Sequence, residues 1–307
     1  MPVNHHHFID LTQVVASKKT QAEKKNASLI RELTAKNARW QARQTPHSYL
    51  TLEQKKAILG VVPDKKFLKE VKASAVAPQA IFPFFDPEVD WRTKSGGKVS
   101  PVKDQGTCGS CVSFGTVAML ESMAMIEKNV LLDLSEADLH FCSNHGANCN
   151  GWYPSMAIDS IKSRGVCDET RFPYSSAFSS GSPHCVISPD RAEHIYKIQS
   201  SSWAVFDAFR KNYLTQHGPM AACLSVYDDF FAYGGGVYHH VSGNRVGGHC
   251  ILVVGYSQSQ RCWICKNSWG TLWGESGFFK IAYGECGIDS LFSPFFGVQG
   301  IVLPAAV

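Results

Sequence analysis

The segment Asp104-Gln-Gly-Thr-Cys-Gly-Ser-Cys111 places two cysteines, two glycines and a side-chain amide within eight residues. Glycine and serine let the backbone turn tightly before a helix, so Cys111 is expected at a helix N-terminus. The helix dipole there favours an anion and lowers the thiol pKa. Gln105 and the backbone N–H of Cys111 are expected to donate to a developing oxyanion. A thiolate needs a proton partner. His249, in Gly247-Gly-His-Cys-Ile-Leu-Val-Val-Gly-Tyr256, lies 138 residues downstream. Asn267, in Lys266-Asn-Ser-Trp-Gly-Thr-Leu-Trp-Gly274, has an amide that can hold the imidazole in one orientation. Nucleophile, base and orienting group together describe acyl transfer through a thiol.

Five motifs in this order, QGTCGSC, LSEADL before Cys142, CNGWYP at 149–154, GHCILVVGY and KNSWGTLWGESG, mark a resemblance to the papain-family (cathepsin-like) cysteine proteases, covering residues 88–307. The resemblance implies Cys111 as nucleophile, His249 as base and acid, Asn267 as its orienter and Gln105 as oxyanion donor. Trp269 would shield the Asn–His hydrogen bond. Substrate would lie along Gly151, Trp152, Tyr153 and Pro154, with Gly248 opposite. Tyr153, Pro154, Cys223, Cys250 and Leu291 match the lining of the pocket for the P2 residue. Leu291 sits where some relatives place an acid, which implies an apolar P2 preference. The double-histidine insertion of an exopeptidase relative is missing, which implies endopeptidase action. Disulfides Cys108–Cys149 and Cys142–Cys185 are implied. Cys286 matches half of a third whose partner position holds no cysteine, and Cys223 and Cys250 are left facing each other without an assigned bridge. Val112 departs from the family's tryptophan, Gly248 from its asparagine or aspartate, and Trp152 from the second glycine of CNGG. The last change is expected to narrow the cleft.

These residues need elements to hold them. Helices are expected from Cys111 to about Lys128, where Val117, Leu120, Ala124 and Glu127 follow 3–4 spacing, from Ser135, which opens a near capping box, and over Ser155–Ser163. Short apolar runs at Cys250–Gly255, Cys262–Cys265 and Gly277–Ile281 read as strands. Helices first and strands second give an α+β fold of two lobes. The papain-like catalytic domain is expected over 81–307, its helical lobe about 90–190 and its β-barrel-like lobe about 191–307. Ahead of it, 18–45 is helix-friendly and Leu50–Gly60 reads as a short helix capped by Thr51 and ended by Gly60. Residues 61–88, with four prolines, read as linker. Residues 1–80 resemble a short cathepsin-B-type prosegment, which in the family runs backwards through the cleft and blocks it.

Residues 1–80 hold 14 Lys and Arg against 6 Asp and Glu, whereas 81–307 holds 16 against 20. A leader of +8 attracts a body of −4, which argues against a nucleic-acid footprint. Acid would weaken that attraction and activate the zymogen. No apolar run of 18 residues exists, so no membrane span is expected. Eleven cysteines point to an oxidising compartment, secreted or lysosome- or vacuole-like. Met1–Thr20 lacks the apolar core of a secretory signal, which leaves a trimmed signal or another export route. The expected partners are protein or peptide substrates and the chain's own prosegment, with no cofactor, no metal and a monomeric state. Competing interpretations are a four-cysteine zinc site from Cys108/Cys111 and Cys262/Cys265, a redox dithiol at Cys108/Cys111, an inactive peptide-binding relative, and acyl transfer to an amine. Asn26-Ala-Ser28 has the pattern of a glycosylation acceptor.

Overall fold

A computed structural model describes residues 19–74, 85–143, 145–179, 181–291 and 293–304. The His5-His6-His7 triplet and nearly all of Met1–Thr20 lie outside the described residues. The leader contains α1 (Lys19–Ala35), strand β1 (Trp40–Ala42), α2 (Leu52–Ala57) and α3 (Lys65–Ser74). Thr51 and Gln54 form a reciprocal capping box at α2, with Gln54 N to Thr51 Oγ1 at 3.2 Å and Thr51 N to Gln54 Oε1 at 2.9 Å. The chain leaves α2 at Ile58, so Gly60 is not a helix stop. Residues 65–74, expected as linker, are helical instead. The Asp64 carboxylate accepts the N–H groups of Lys66 and Phe67 at 3.1 and 3.0 Å, and Pro63 precedes it. That local cap outweighs the prolines on either side.

The body begins with β2 (Glu88–Asp90), then α4 (Cys111–Glu127), α5 (Glu136–Phe141), α6 (Pro154–Ser163) and β3 (Val166–Cys167). It continues with β4 (Ile195–Ala204), α7 (Asp207–Gln216), β5 (Met220–Tyr227), β6 (Tyr233–Tyr238), β7 (Arg245–Ser257), β8 (Cys262–Lys266), β9 (Phe278–Ala282) and β10 (Phe295–Val302). Every side chain of α4 from Cys111 to Ala124 is buried, because the helix lies between the other helices and strands β5, β7 and β10. A helix apolar all round belongs in a core. Ser135 caps α5 by accepting from Asp138 N at 2.9 Å.

The strands form one sheet in the order β1-β6-β9-β8-β7-β5-β10-β4-β3, with β2 added to β7. Only β6 and β9 run parallel among the pairings described. Strand β7 is the organising element: it pairs antiparallel with β5, β8 and β2, and His249 stands opposite Leu224 of β5 three residues before the β8 pairing begins at Leu252. Helix α7 and strand β4 were not expected. The inner face of α7 is carried by Arg210, whose buried guanidinium donates to Asp207 and to the carbonyls of Asp289, Ser290 and Ser293. A pattern reading assigns such a residue to the surface.

The leader joins this sheet. β1 pairs antiparallel with edge strand β6, Trp40 opposite Gly236. The Trp40 ring is buried against Tyr238 and Tyr233, with centroids at 5.1 and 6.1 Å, and its indole N–H donates to His239 O at 2.9 Å. Trp40→Ala should cost the docked leader about 3 kcal/mol. Exchange of the β1 amides in an inactive Cys111→Ala chain should then rise roughly 100-fold. Unchanged exchange would mean that Trp40 does not anchor the leader.

Candidate active site

The turn before α4 is held from three directions. The Cys108–Cys149 disulfide joins it to the 149–154 segment, where Cys149 O accepts Gly109 N at 3.0 Å. Tyr174 Oη donates to Gln105 O at 3.0 Å and shares a 2.6 Å hydrogen bond with Ser110 Oγ. Gln105 N donates to Ser268 O at 2.9 Å across the two lobes. Tyr174 was missed in the sequence because nothing in its spacing connects it with the turn. The outcome is Cys111 as the first residue of α4, fully buried. Its thiol receives backbone N–H groups of Cys250, Gly60 and Val112.

His249 Nε2 lies 2.7 Å from Asn267 Oδ1, which also accepts Ser268 N at 2.8 Å. Two donors converging on one atom fix it as the carbonyl oxygen. Nε2 therefore carries the proton, and neutral His249 keeps a free lone pair on Nδ1. Nδ1 has no hydrogen-bond partner among the described residues. Trp269 covers the pair, its ring 4.9 Å from the imidazole and stacked on Phe231 at 5.1 Å. Gln105 is oriented by Ser268 Oγ, which donates to Oε1 at 2.7 Å. Its Nε2 donates to Cys108 O at 2.8 Å and to Ile58 O at 3.0 Å.

Ile58 belongs to the leader, and so does the chain that follows it over the thiol. Trp152 N donates to Gly60 O at 2.8 Å, Val62 N to Trp152 O at 2.9 Å, and Val61 N to Gly248 O at 3.2 Å. Val61 and Trp152 pair in parallel. The Trp152 backbone makes these contacts. Its ring does not narrow the cleft but is buried, 6.0 Å edge-on from His140. Downstream, the leader's Phe67 stacks on Phe296 at 5.5 Å and meets Trp203 edge-on at 6.4 Å. The recess it shares is lined by Pro154, Ser155, Cys223, Ser293 and Phe296. Leu291 is 51% exposed and does not line this recess, whose far wall comes from Ser293 and Phe296 instead. Tyr153 is half-buried at the start of α6, and Cys250 is buried opposite Cys223.

Burial under the leader sets the charge state. Desolvation pushes the Cys111 thiol up to about 12, against the lowering effect of its N–H donors. Desolvation also takes His249 down to about 4, although Asn267 favours its charged form. The covered site is a neutral thiol beside a neutral imidazole. The lowered thiol pKa expected from the sequence is therefore not found in the covered site.

Residues 85–294 match the family model described as "Papain family cysteine protease". The chain belongs to the papain family of cysteine proteases. It is 37% identical to mouse pro-cathepsin H over 213 residues, 65% of this chain and 62% of that protein, and so matches less than two thirds of that relative's length. It is 32% identical over 246 residues to a gut-specific cysteine proteinase of Caenorhabditis elegans, 67% of this chain and 70% of that one. A solved procathepsin B from Trypanosoma congolense shares the fold with TM-score 0.74 at 23% identity, covering 89% of this chain and 98% of that one. The chain has the form of a cathepsin-like proenzyme.

The second disulfide, Cys142–Cys185, staples the helical lobe. Cys167, Cys223, Cys250, Cys262, Cys265 and Cys286 are free thiols. Asn26 of the glycosylation pattern lies on α1 of the leader and is only 8% exposed, with its Oδ1 buried.

Gly60 is the residue that permits this docking. A Cβ there would lie 1.7 Å from Gly109 O. Gly60→Ala should lift the segment off the thiol. Alkylation of Cys111 by iodoacetamide at neutral pH should be barely measurable in the intact wild-type chain and at least about tenfold faster in the variant, as expected for a loss of 1.4 kcal/mol or more. Equal rates would show that Gly60 does not control access.

Proposed function

We propose that this chain is the zymogen of a cysteine endopeptidase, with an inhibitory prosegment over 1–80 and a catalytic domain over 81–307. The observation that carries the reading is the Gln105 amide donating to a peptide carbonyl, that of Ile58, beside Cys111. A bound substrate carbonyl would use the same donor. Once the prosegment leaves, the Cys111 proton passes to His249 Nδ1 and the thiolate attacks the scissile carbonyl. Gln105 Nε2 and the Cys111 backbone N–H hold the oxyanion. His249 then protonates the departing amine. In the second half it takes a proton from water, which attacks the thioester. Asn267 and Trp269 keep the imidazole in one tautomer and one orientation.

The apolar recess of Pro154, Cys223 and Phe296 supports an apolar P2 preference. The two disulfides support an oxidising compartment, secreted or lysosome-like. No helix among the described residues is long and apolar enough to cross a membrane. The epoxide E-64 should label the processed wild type at Cys111 and leave Cys111→Ala unlabelled. The processed enzyme should cut Z-Phe-Arg or Z-Leu-Arg substrates at least tenfold faster than Z-Arg-Arg. Absent labelling would end the protease reading, and equal rates would end the P2 assignment alone.

Acid release of the prosegment has a more local basis than the net charge split. Of the leader's cations, Lys55 and Lys25 meet the body's Asp228, at 2.9 and 3.5 Å. Lys36, Arg39 and Arg43 donate to main-chain carbonyls, which do not titrate. Burial would raise the Asp228 pKa, but the Lys55 hydrogen bond and both lysine charges more than offset this and lower it. Its contribution is present above the ordinary value of 3.8 and fades only below it. His47 differs. It is buried and stacks on Trp269, with ring centroids 5.0 Å apart. Desolvation, then repulsion from His249, lowers it from 6.5 to about 3. A histidine held neutral stabilises docking above pH 6.5. Docking is lost about tenfold per pH unit as pH falls from there toward about 3. In an inactive Cys111→Ala chain, amide exchange of β1 should steepen between pH 7 and 4.5, after correction for intrinsic rates. His47→Phe, which keeps a ring on Trp269, should flatten that slope by about one power of ten per unit. An identical slope in both proteins would remove His47 as the trigger.

A further inference from the structure

Cys223 on β5 and Cys250 on β7 stand directly opposite each other in an antiparallel pair. Residues so placed project from the same face of the sheet, their Cβ atoms about 5 Å apart. Both are free thiols, and the Cys250 side chain interacts with that of Cys223. On one side, Cys223 lines the recess with Pro154, Ser293 and Phe296 and remains half-buried with the prosegment in place. On the other, Cys250 follows His249, and its backbone N–H reaches the Cys111 thiol. Gly115 of α4 leaves the space that the Cys250 sulfur uses: a Cβ at 115 would lie 2.9 Å from Cys250 Sγ. The pair therefore connects the floor of the proposed P2 recess with the nucleophile.

We propose that Cys223 and Cys250 form a reversible disulfide that acts as a redox lock on substrate selection, a role that rests on the peptidase reading above. The oxidant is a low-molecular-weight disulfide, RSSR. Cys223, the more accessible of the two, attacks RSSR as its thiolate, forms a mixed disulfide and expels one RS⁻, which takes up the Cys223 proton. Cys250 loses its proton to solvent base as its sulfur attacks the Cys223 sulfur and expels the second RS⁻. Two protein thiols are oxidised and one RSSR is reduced to two RSH. A disulfide favours Cβ atoms about 3.8 Å apart, so this bridge must draw the two strands together. Bridges under such strain are the reducible ones. The same pull narrows the floor of the recess and shifts the N–H that supports the Cys111 sulfur. The expected result is a selective loss of large apolar P2 residues.

The full-length Cys111→Ala chain would be incubated with oxidised glutathione, quenched in acid with an alkylating agent and digested without reductant. The expected product is one peptide pair linking Cys223 to Cys250, lighter by two hydrogens and absent after reduction. This readout needs no activity, so it stands or falls separately from the peptidase assignment. In the wild-type processed enzyme, the ratio of kcat/KM for Z-Phe-Arg to that for a P2-alanine substrate should fall at least threefold on oxidation. It should recover with reductant and stay fixed under oxidant in Cys223→Val. No linkage between 223 and 250, linkage of either to Cys111 in the wild type, or an unchanged ratio in the bridged enzyme would overturn the proposal.

Discussion

Gly60 approaches Gly109 and Gly151 so closely that none of the three positions has room for a side chain. A Cβ on Gly151 would stand 2.3 Å from Gly60 O, and one on Gly109 would stand 2.5 Å from Cys149 O. The course of the prosegment over the nucleophile depends on this contact between bare backbones. It lets the Gly60 N–H reach the Cys111 thiol and the Gly60 carbonyl reach Trp152. It also explains why the Cys108–Cys149 disulfide belongs where it is: the bridge fixes two of the three approaching backbones relative to each other. The helices on either side keep the segment taut. α2 ends at Ile58 and α3 starts from the Asp64 cap, so the residues between them have little freedom to withdraw.

The same contact changes the chemistry beneath it. Excluding water costs the charged forms of both Cys111 and His249, and a neutral pair is a poor nucleophile. The leader therefore acts on the site electrostatically as well as sterically. The parallel course of Val61 past Trp152 adds a geometric element, since it offers the site a backbone of fixed polarity held by Gly248 on the opposite wall. Desolvation penalties are reciprocal. What keeps His249 neutral under the prosegment also makes protonation of His249 and His47 a force for release. Trp269 contacts both imidazoles, with ring centroids 5.0 Å from His47 and 4.9 Å from His249, and the charge of one is felt by the other.

Much of this was legible in the sequence because it is local. The turn into α4, the Ser135 cap and the apolar run of β7 each depend on neighbours in the chain. What escaped depends on partners far away. Tyr174 holds the main-chain carbonyl of Gln105 from 69 positions downstream. Arg210 is buried because three carbonyls from 289–293 meet its guanidinium. Phe296, buried on β10, lines the recess, whereas Leu291, half-exposed ahead of that strand, does not, a placement that periodicity does not reveal. His47 is an ordinary histidine in the sequence. Only the docked geometry puts it on Trp269.

The cationic leader shows why a net charge is a poor guide to a binding mechanism. Arg43 donates to Gly274 O at 2.6 Å and to Leu272 O at 3.1 Å, and Lys36 donates to Val241 O at 2.8 Å. A carbonyl offers direction without titrating, so these contacts align the leader at any pH. Exposed ion pairs add little and are screened by salt, whereas in the Lys55–Asp228 pair the lysine is buried and the carboxylate half-buried. Alignment and release are thereby assigned to different groups. The cations bound to backbone position the leader, and in the proposed release the two buried imidazoles set the pH at which it goes. A prosegment held mainly by carboxylate pairs would release only below the ordinary carboxylate range. Histidine moves that threshold up by more than two pH units.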